Sequence, residues 1–508
     1  MVITTLANRV WWLASLPSCV AFERALEDPG RAQEQILREF IRRNSGTAFG
    51  REHGVATVRS PAQFAERVPV RDYDELKPWI DRIQRGEQNV LTSEPVRRLV
   101  PTGGSTAGRK LIPYTDSMHR RINNAVGAWI CDLFRRCPGV MTGASYWSIS
   151  PSCQSSVTAE ESAVPIGFDD DAAYLGRTRK RVVDAVCAVP GEIRDIASIE
   201  DWRYVTMLLL LRRRDLSLIS VWHPSFLELL LKAMEESWDR LVRDVAGGGC
   251  DVASRLPRST TRFVEAHPDP RRSDEMIRAG ASAPHELWPR LKVVSCWADG
   301  HAALAAAELG RSMPSVRIQP KGLLATEGVV SLPFAGQHPL AIRSHFIEFE
   351  DVSGRIYPAS EIRCGERYGV ILTTAGGLVR YRLNDLVEVD GMVGRTPSIR
   401  FLGRSGLVSD RVGEKLSDGF VVDVIRRLFE DRRLQPSFAL LAPDSDRDGC
   451  RYTLYVNADL PHELCTMLDE LLSANPQYAY SRRLTQLGAP RLFRIAGDAY
   501  TAYSDRLR

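Results

Sequence analysis

Apolar residues in the first hundred positions recur at the spacing of helices joined by polar turns, one of them marked by Pro69 and Asp72. A short apolar run at 99–100 ends at Pro101 and gives way to a segment rich in Gly, Ser and Thr. Residues 118–134 repeat with helical period, and 146–150 predict a buried strand ending at Pro151. From 181 to 241 the pattern is mainly helical, and Ser198-Ile-Glu-Asp201 resembles a capping box at the start of one helix. Residues 216–221 and 291–295 predict two more buried strands, the first leading through Trp222-His-Pro224 into a helix, the second into Trp297-Ala-Asp-Gly300. Strands alternating with helices predict an α/β fold.

Beyond residue 330 the periods shorten. Runs at 345–350, 369–373, 379–382 and 386–389, several separated by glycines, predict a small β-barrel or a distorted antiparallel sheet. A new unit begins near 401–404, with a helix predicted over 419–430 and a strand over 451–456. At 508 residues the chain exceeds what one hydrophobic core supports. The expected organisation is a large N-terminal domain over 1–403, made of α/β subdomains plus a distorted β-barrel. A small, mobile α+β domain over 404–508 follows it.

Composition narrows the function classes. Hydrophobic content of 44% and charged content of 26% are those of a soluble globular protein. A net charge of +4 gives no reason to expect nucleic acid or an anionic membrane as partner. Of 67 Lys plus Arg only seven are lysines (Lys77, Lys110, Lys180, Lys232, Lys292, Lys321 and Lys415), so each is worth inspecting. Arginine usage on this scale suits a GC-rich genome. The ten cysteines form no CxxC pair and no zinc-spaced cluster, which predicts reduced thiols in a cytoplasmic protein. The apolar stretch at 10–22 follows Arg9 but runs on into helical pattern without a small-residue cleavage site, so a helix of the fold is expected there rather than a signal peptide. The apolar run at 205–211 is too short to span a bilayer.

The candidate chemistry starts at Thr102-Gly-Gly-Ser-Thr-Ala-Gly-Arg-Lys110. Glycines let backbone N–H groups turn inward around phosphate oxygens, hydroxyls of Ser105 and Thr106 add hydrogen bonds, and Arg109 and Lys110 add charge. A flexible surface loop is the plain alternative. Gly103 and Gly108 have the spacing of a P-loop, but Arg109 stands at the lysine position and Lys110 where Ser or Thr should hold magnesium, so that reading fails.

The loop resembles the S-G-T-T-G-x-P-K phosphate motif of the adenylate-forming superfamily. Leu323-Leu-Ala-Thr-Glu-Gly328 resembles its Y-G-x-T-E motif, and Tyr381-Arg-Leu-Asn-Asp385 its Y-R-x-G-D motif. Gly377-Leu-Val-Arg-Tyr-Arg382, Gly413-Glu-Lys-Leu-Ser417, Trp222-His-Pro-Ser225 and the segment 321–333 resemble the acyl acid amido synthetases of the auxin-responsive Gretchen Hagen family, in its bacterial branch. The resemblance runs from Thr47-Ala-Phe-Gly50 to Tyr500. It implies that Gly104, Ser105, Thr106, Gly108 and Lys110 bind ATP. It also implies that Thr326 contacts the α-phosphate, Glu327 holds Mg²⁺, Asp385 accepts from both ribose hydroxyls, and Lys415, with Arg404 at the domain junction, reaches the nucleotide. Leu323 replaces a tyrosine that stacks on adenine, which implies apolar contact with the base, and Asn384 replaces the glycine before Asp385. Relatives often carry a further lysine near the C-terminus. Here Lys415 is the last, which leaves three readings: a missing tail, a dispensable lysine or an impaired enzyme.

The implied reaction joins a carboxylic acid to ATP as an acyl adenylate, then passes the acyl group to an amine, expected to be an amino acid. A thioester ligase using the same first step, and a catalytically impaired nucleotide-binding relative, are the alternatives. Trp147, Trp222, Trp297 and His223 could line an acyl pocket, though such residues at strand ends more often belong to the core.

Overall fold

The computed structural model describes residues 2–102, 110–148, 162–167, 184–404 and 408–499, except 410, 413, 415, 431–433, 447–448, 459–460, 462, 484–485 and 498. Four of the implied phosphate-loop residues (Gly104, Ser105, Thr106 and Gly108), together with Lys415, lie outside them.

The N-terminal pattern does form helices. Helix Val2–Leu26 buries Trp11, Cys19, Phe22 and Leu26 in the first of three cores and packs on helix Asp116–Arg136. The turn at Pro69 and Asp72 opens helix Tyr73–Gln84 through a reciprocal capping box between Asp72 and Glu75, worth about 1 kcal/mol. At Ser198 the expected box is half made: its hydroxyl accepts from the Asp201 N–H at 3.2 Å, capping helix Ile199–Leu211.

Strands β1 (Arg98–Pro101) and β2 (Leu111–Tyr114) form an antiparallel hairpin on either side of the glycine-rich segment. The Thr102 N–H donates to the Lys110 carbonyl at 2.9 Å, so the two ends of that segment are pinned side by side. Four strands then make a parallel sheet in sequence order: β3 (Ala144–Trp147), β4 (Leu216–Ser220), β5 (Val293–Cys296) and β6 (Arg317–Pro320). The central strands β4 and β5 are wholly buried, as parallel strands covered on both faces must be, whereas the edge strand β6 is partly exposed.

A two-strand hairpin follows, β7 (Leu324–Ala325) and β8 (Gly328–Val329), with Thr326 and Glu327 at its tip. The β-rich unit is a five-stranded antiparallel sheet in the order β10-β9-β11-β12-β13, built from β9 (Phe346–Glu350), β10 (Ile356–Pro358), β11 (Arg367–Thr373), β12 (Tyr381–Val393) and β13 (Thr396–Arg404). Among the described residues its edge strands β10 and β13 do not pair with each other. Register shifts at Gly369/Ile371, Leu386/Val387 and Val389/Gly391 distort it. The runs at 379–382 and 386–389, expected as two strands, are parts of the single strand β12.

The third core gathers Leu416, Val424, Leu428, Tyr452, Leu454, Leu468 and Tyr478 around helix Asp418–Glu430 and three strands. Strands Ala439–Asp446 and Gly449–Val456 pair antiparallel, and Arg491–Arg494 runs parallel to the second. This is a mixed α/β protein with a large N-terminal part and a smaller C-terminal part. No helix of the described residues is long and apolar enough to cross a membrane.

Candidate nucleotide and acyl site

The Thr326–Glu327 hairpin is held from both sides. The Tyr114 hydroxyl donates to the Thr326 carbonyl at 2.6 Å, tying the tip to β2 and so to the base of the glycine-rich segment. At Gly322 the chain turns with φ +71°, and a Cβ there would lie 2.9 Å from the Ser331 hydroxyl oxygen, which accepts from the Leu323 N–H at 2.9 Å. Gly328 lies against fully buried His345, whose Nε2 would be 2.7 Å from an added Cβ. Only glycine fits either place. Leu323 is buried in the first core.

Glu327 is buried, and burial pushes its carboxyl above the usual range, countered by Lys110, Arg404 and the Tyr381 hydroxyl. Asp385 is buried on β12 and paired in register with Arg404 on β13, with Arg404 Nε 3.4 Å from its Oδ1. Burial pushes its carboxyl up to about 7, against the pull of Arg404, and neighbouring Glu327 raises it further. Lys110 reaches the Tyr381 hydroxyl at 3.4 Å and lies over the rings of Tyr73 and Tyr381. Lys110, Thr326, Glu327, Asp385 and Arg404 are therefore brought into one group, joined by Tyr381, Tyr73 and Tyr114, to which the sequence reading gave no role. Two carboxyls kept dry, with cations close by, make this group the candidate functional site rather than solvated surface.

Asn384, which left the local turn in doubt, has φ +64°. Asparagine is among the few non-glycine side chains that adopt this left-handed conformation readily, so it can stand where the resembled motif has glycine. Arg380 also has positive φ, at +44°, and is buried against Glu348. Ahead of Lys415, the buried Glu414 carboxylate accepts from the N–H groups of Arg411 and Val412 at 2.8–3.0 Å and from the Tyr452 hydroxyl. Glu414 is thus a turn-forming residue of the small unit.

At the carboxyl ends of the parallel strands lie the tryptophans. His223 is a helix cap: its Nδ1 lies 2.6 Å from the Ser225 hydroxyl and accepts from the Ser225 N–H at helix Pro224–Glu236. Trp222 and Trp297 pack 5.8 Å apart, and Trp147 packs 5.7 Å from Trp129 of helix Asp116–Arg136. Lys321, immediately after β6, stands among Trp129, Trp147 and Trp222. Its scarcity as a lysine was the one signal in the sequence that could have found it.

Magnesium takes oxygen ligands and completes its shell with waters and substrate phosphates. Among the described residues no three His, Cys, Asp or Glu cluster, and Glu327 is a dry carboxylate beside the loop base. That donor set fits an ion shared with a nucleotide.

Two family models match the chain: the GH3 family N-terminal domain over residues 19–318 and the GH3 family central domain over 338–404. Among curated proteins, the chain is 24% identical to a probable indole-3-acetic acid-amido synthetase of Oryza sativa subsp. japonica. It is 23% identical to a jasmonoyl-L-amino acid synthetase of Nicotiana attenuata, and each alignment covers 93% of this chain and 87% of the relative. Among solved structures, the GH3.15 acyl acid amido synthetase superposes with a TM-score of 0.83 at 19% identity, covering 96% of this chain and 90% of that one. A 2-hydroxyisobutyryl-CoA ligase in its postadenylation state superposes with a TM-score of 0.50 at 11% identity, over 94% and 86% of the two chains. The fold is that of the adenylate-forming enzymes, and the chain belongs to the GH3 family.

Proposed function

We propose that this chain is an acyl acid amido synthetase that activates a carboxylic acid with ATP and transfers the acyl group to an amino acid. The observation that carries the reading is the pair of buried carboxyls, Glu327 and Asp385, with Lys110 and the half-exposed Arg404 beside them next to the β1–β2 hairpin. The acid's carboxylate attacks the α-phosphorus of ATP, the bond to the β-phosphate breaks, and pyrophosphate leaves. The amine then attacks the acyl carbon, AMP departs, and the nucleophile's proton goes to solvent. Asp385 suits the ribose hydroxyls, since an ionised carboxylate is acceptor-only and has two oxygens. Glu327 would hold Mg²⁺, whose charge, when bound, offsets that of the phosphates. Lys110 and the glycine-rich segment bind phosphate oxygens, and Thr326 faces the α-phosphate from the pinned hairpin tip. Catalysis is mainly positioning and charge stabilisation. We place the domain boundary at 404, where β13 ends, with the unit after it turning between the two half-reactions to bring Lys415 to the phosphates. ATP and amino acids are cytoplasmic metabolites, and we assign the enzyme to the cytoplasm of a bacterium.

The acceptor separates this reading from thioester formation, which the shared fold with a CoA ligase also suits. AMP release in the presence of a carboxylic acid is expected to be stimulated by amino acids and not by coenzyme A; stimulation by the thiol alone overturns the amide reading. Lys415→Ala is expected to slow pyrophosphate exchange by roughly an order of magnitude or more, as loss of a charge-stabilising group does. An unchanged rate removes Lys415 from the site.

A further inference from the structure

Lys321 is a buried cation that the chemistry above does not use. Its Nζ lies 4.9 Å from the ring centre of Trp129, 5.4 Å from Trp222 and 5.8 Å from Trp147. Two of these indoles turn their N–H groups elsewhere, Trp129 to the Gln319 side chain and Trp147 to the Ser145 hydroxyl, both at 3.0 Å. The ammonium is thus attracted by ring faces. An ammonium has three N–H donors, and among the described residues only the Ser220 hydroxyl accepts one, at 2.6 Å. Among the described residues no carboxylate pairs with it.

Lys321 stands at the end of the sheet where ligands are bound in folds of this kind. Trp147, Ser220, Ser295 and Gln319 are register neighbours across β3–β6, one row at the carboxyl end of the parallel sheet. The Ser295 hydroxyl in that row is fully buried and has no hydrogen-bond partner among the described residues. Buried polar groups left unpaired cost on the order of 1–3 kcal/mol each, so a ligand oxygen meeting them is rewarded. Trp222 is 46% exposed and forms the side open to solvent. Burial lowers the Lys321 ammonium to about 7, opposed only by Cys296, so the carboxylates of the nucleotide group leave it unaffected. Four residues separate Lys321 from Thr326, at most about 18 Å of chain. An aromatic acid whose carboxylate lies at Thr326 can span toward it.

We propose that Lys321 is the specificity-determining residue of the acyl pocket: flanked by indole faces, it hydrogen-bonds an oxygen substituent on the ring of an aromatic acid, at the end remote from the carboxylate that is activated. The proposal rests on the adenylation reading for that carboxylate. Sites built to hydrogen-bond a substrate hydroxyl discriminate strongly against the analogue lacking it.

The test compares benzoate with 4-hydroxybenzoate and cinnamate with 4-hydroxycinnamate in wild type and Lys321→Met. Pyrophosphate exchange is one readout; quenching of tryptophan fluorescence by each acid without ATP is the other. In wild type the hydroxylated acid is expected to be preferred by about tenfold or more in kcat/KM, carried mainly by KM. In Lys321→Met that ratio should fall toward one, with no loss of Tm. An equal loss for both acids of a pair, a ratio unchanged by the substitution, or exchange with aliphatic acids alone overturns the proposal. Absence of exchange with every acid would sink the adenylation reading instead. Fluorescence then decides separately: tighter quenching by the hydroxylated acid, lost in Lys321→Met, upholds the role of Lys321, and equal quenching by both acids refutes it. If Lys321→Met does not fold, the wild-type preference seen by fluorescence makes the same decision.

Discussion

Asp385→Ala is expected to lower carboxylate-dependent pyrophosphate exchange by a factor on the order of 10²–10³, and Glu327→Ala by as much, the size of loss seen when one preorganised electrostatic group is removed from an active site. Both side chains are buried within one charged group, so no solvent ion or neighbouring carboxylate can replace them at the same geometry. Wild-type rates in both variants would refute the assignment. A second measurement separates function from folding. The Asp385 carboxyl titrates near 7 in the folded chain and at 3.8 ordinarily, because burial disfavours its charge. Between those values the folded chain holds a proton that the unfolded chain has released, so this group's contribution to stability falls as pH rises from about 4 to about 7. Asp385→Asn keeps the shape and removes the charge. It should therefore raise Tm by about 2 °C or more at pH 8, give no gain at pH 4, and still abolish exchange. Stability rising while activity is lost marks a residue kept for chemistry.

Asp385 was singled out in the sequence by its place in a motif resembling Y-R-x-G-D, before its surroundings were known. Along β12 the buried positions alternate as Tyr381, Leu383, Asp385, Val387 and Val389, so a carboxylate stands on the inward phase of an otherwise apolar face. The strand itself was read as two runs because Asn384, with its positive φ, interrupts the β-like composition between them. Sequence periodicity registers side-chain type, whereas the strand runs on through an irregularity at Asn384, which is paired in register with neither β11 nor β13. Glu327 was legible through its motif, but its burial depends on Tyr381 and Lys110, more than fifty and two hundred positions away. The same limit hid Lys321: its three indoles come from a helix and two strand ends, and only the stacking of β3, β4 and β6 brings them together. His223 shows the converse. The sequence reading weighed it as a pocket or a core residue, and the bond from the Ser225 N–H makes it a helix cap instead.

Arg380→Met is expected to destabilise the N-terminal part by about 3–5 kcal/mol, the cost of leaving one partner of a buried ion pair uncompensated. The Arg380 guanidinium meets Glu348 through Nε and Nη2, both at 2.9 Å, and its remaining nitrogen donates to the carbonyls of Ala65 and Val68 at 2.8 and 2.6 Å. Both side chains are almost wholly buried. These bonds clamp helix Pro61–Arg67 to the sheet, and the clamp extends through the backbone, where the Arg71 N–H donates to the Arg380 carbonyl at 3.0 Å and the Arg382 N–H to the Arg71 carbonyl at 2.8 Å. Burial already pushes the Glu348 carboxyl up, against the pull of Arg380. Without Arg380 it takes up a proton more readily, so the loss should be larger at pH 8 than at pH 5, measurable as the shift of the urea midpoint at each pH. Replacing both partners, Arg380→Met with Glu348→Leu, removes the stranded charge and should recover most of the stability. A double variant as weak as the single one would assign the effect to the lost carbonyl bonds instead. Tyr381 follows Arg380 directly, so the single variant should also weaken exchange through displaced Lys110 and Glu327, and the double variant should restore activity less fully than stability.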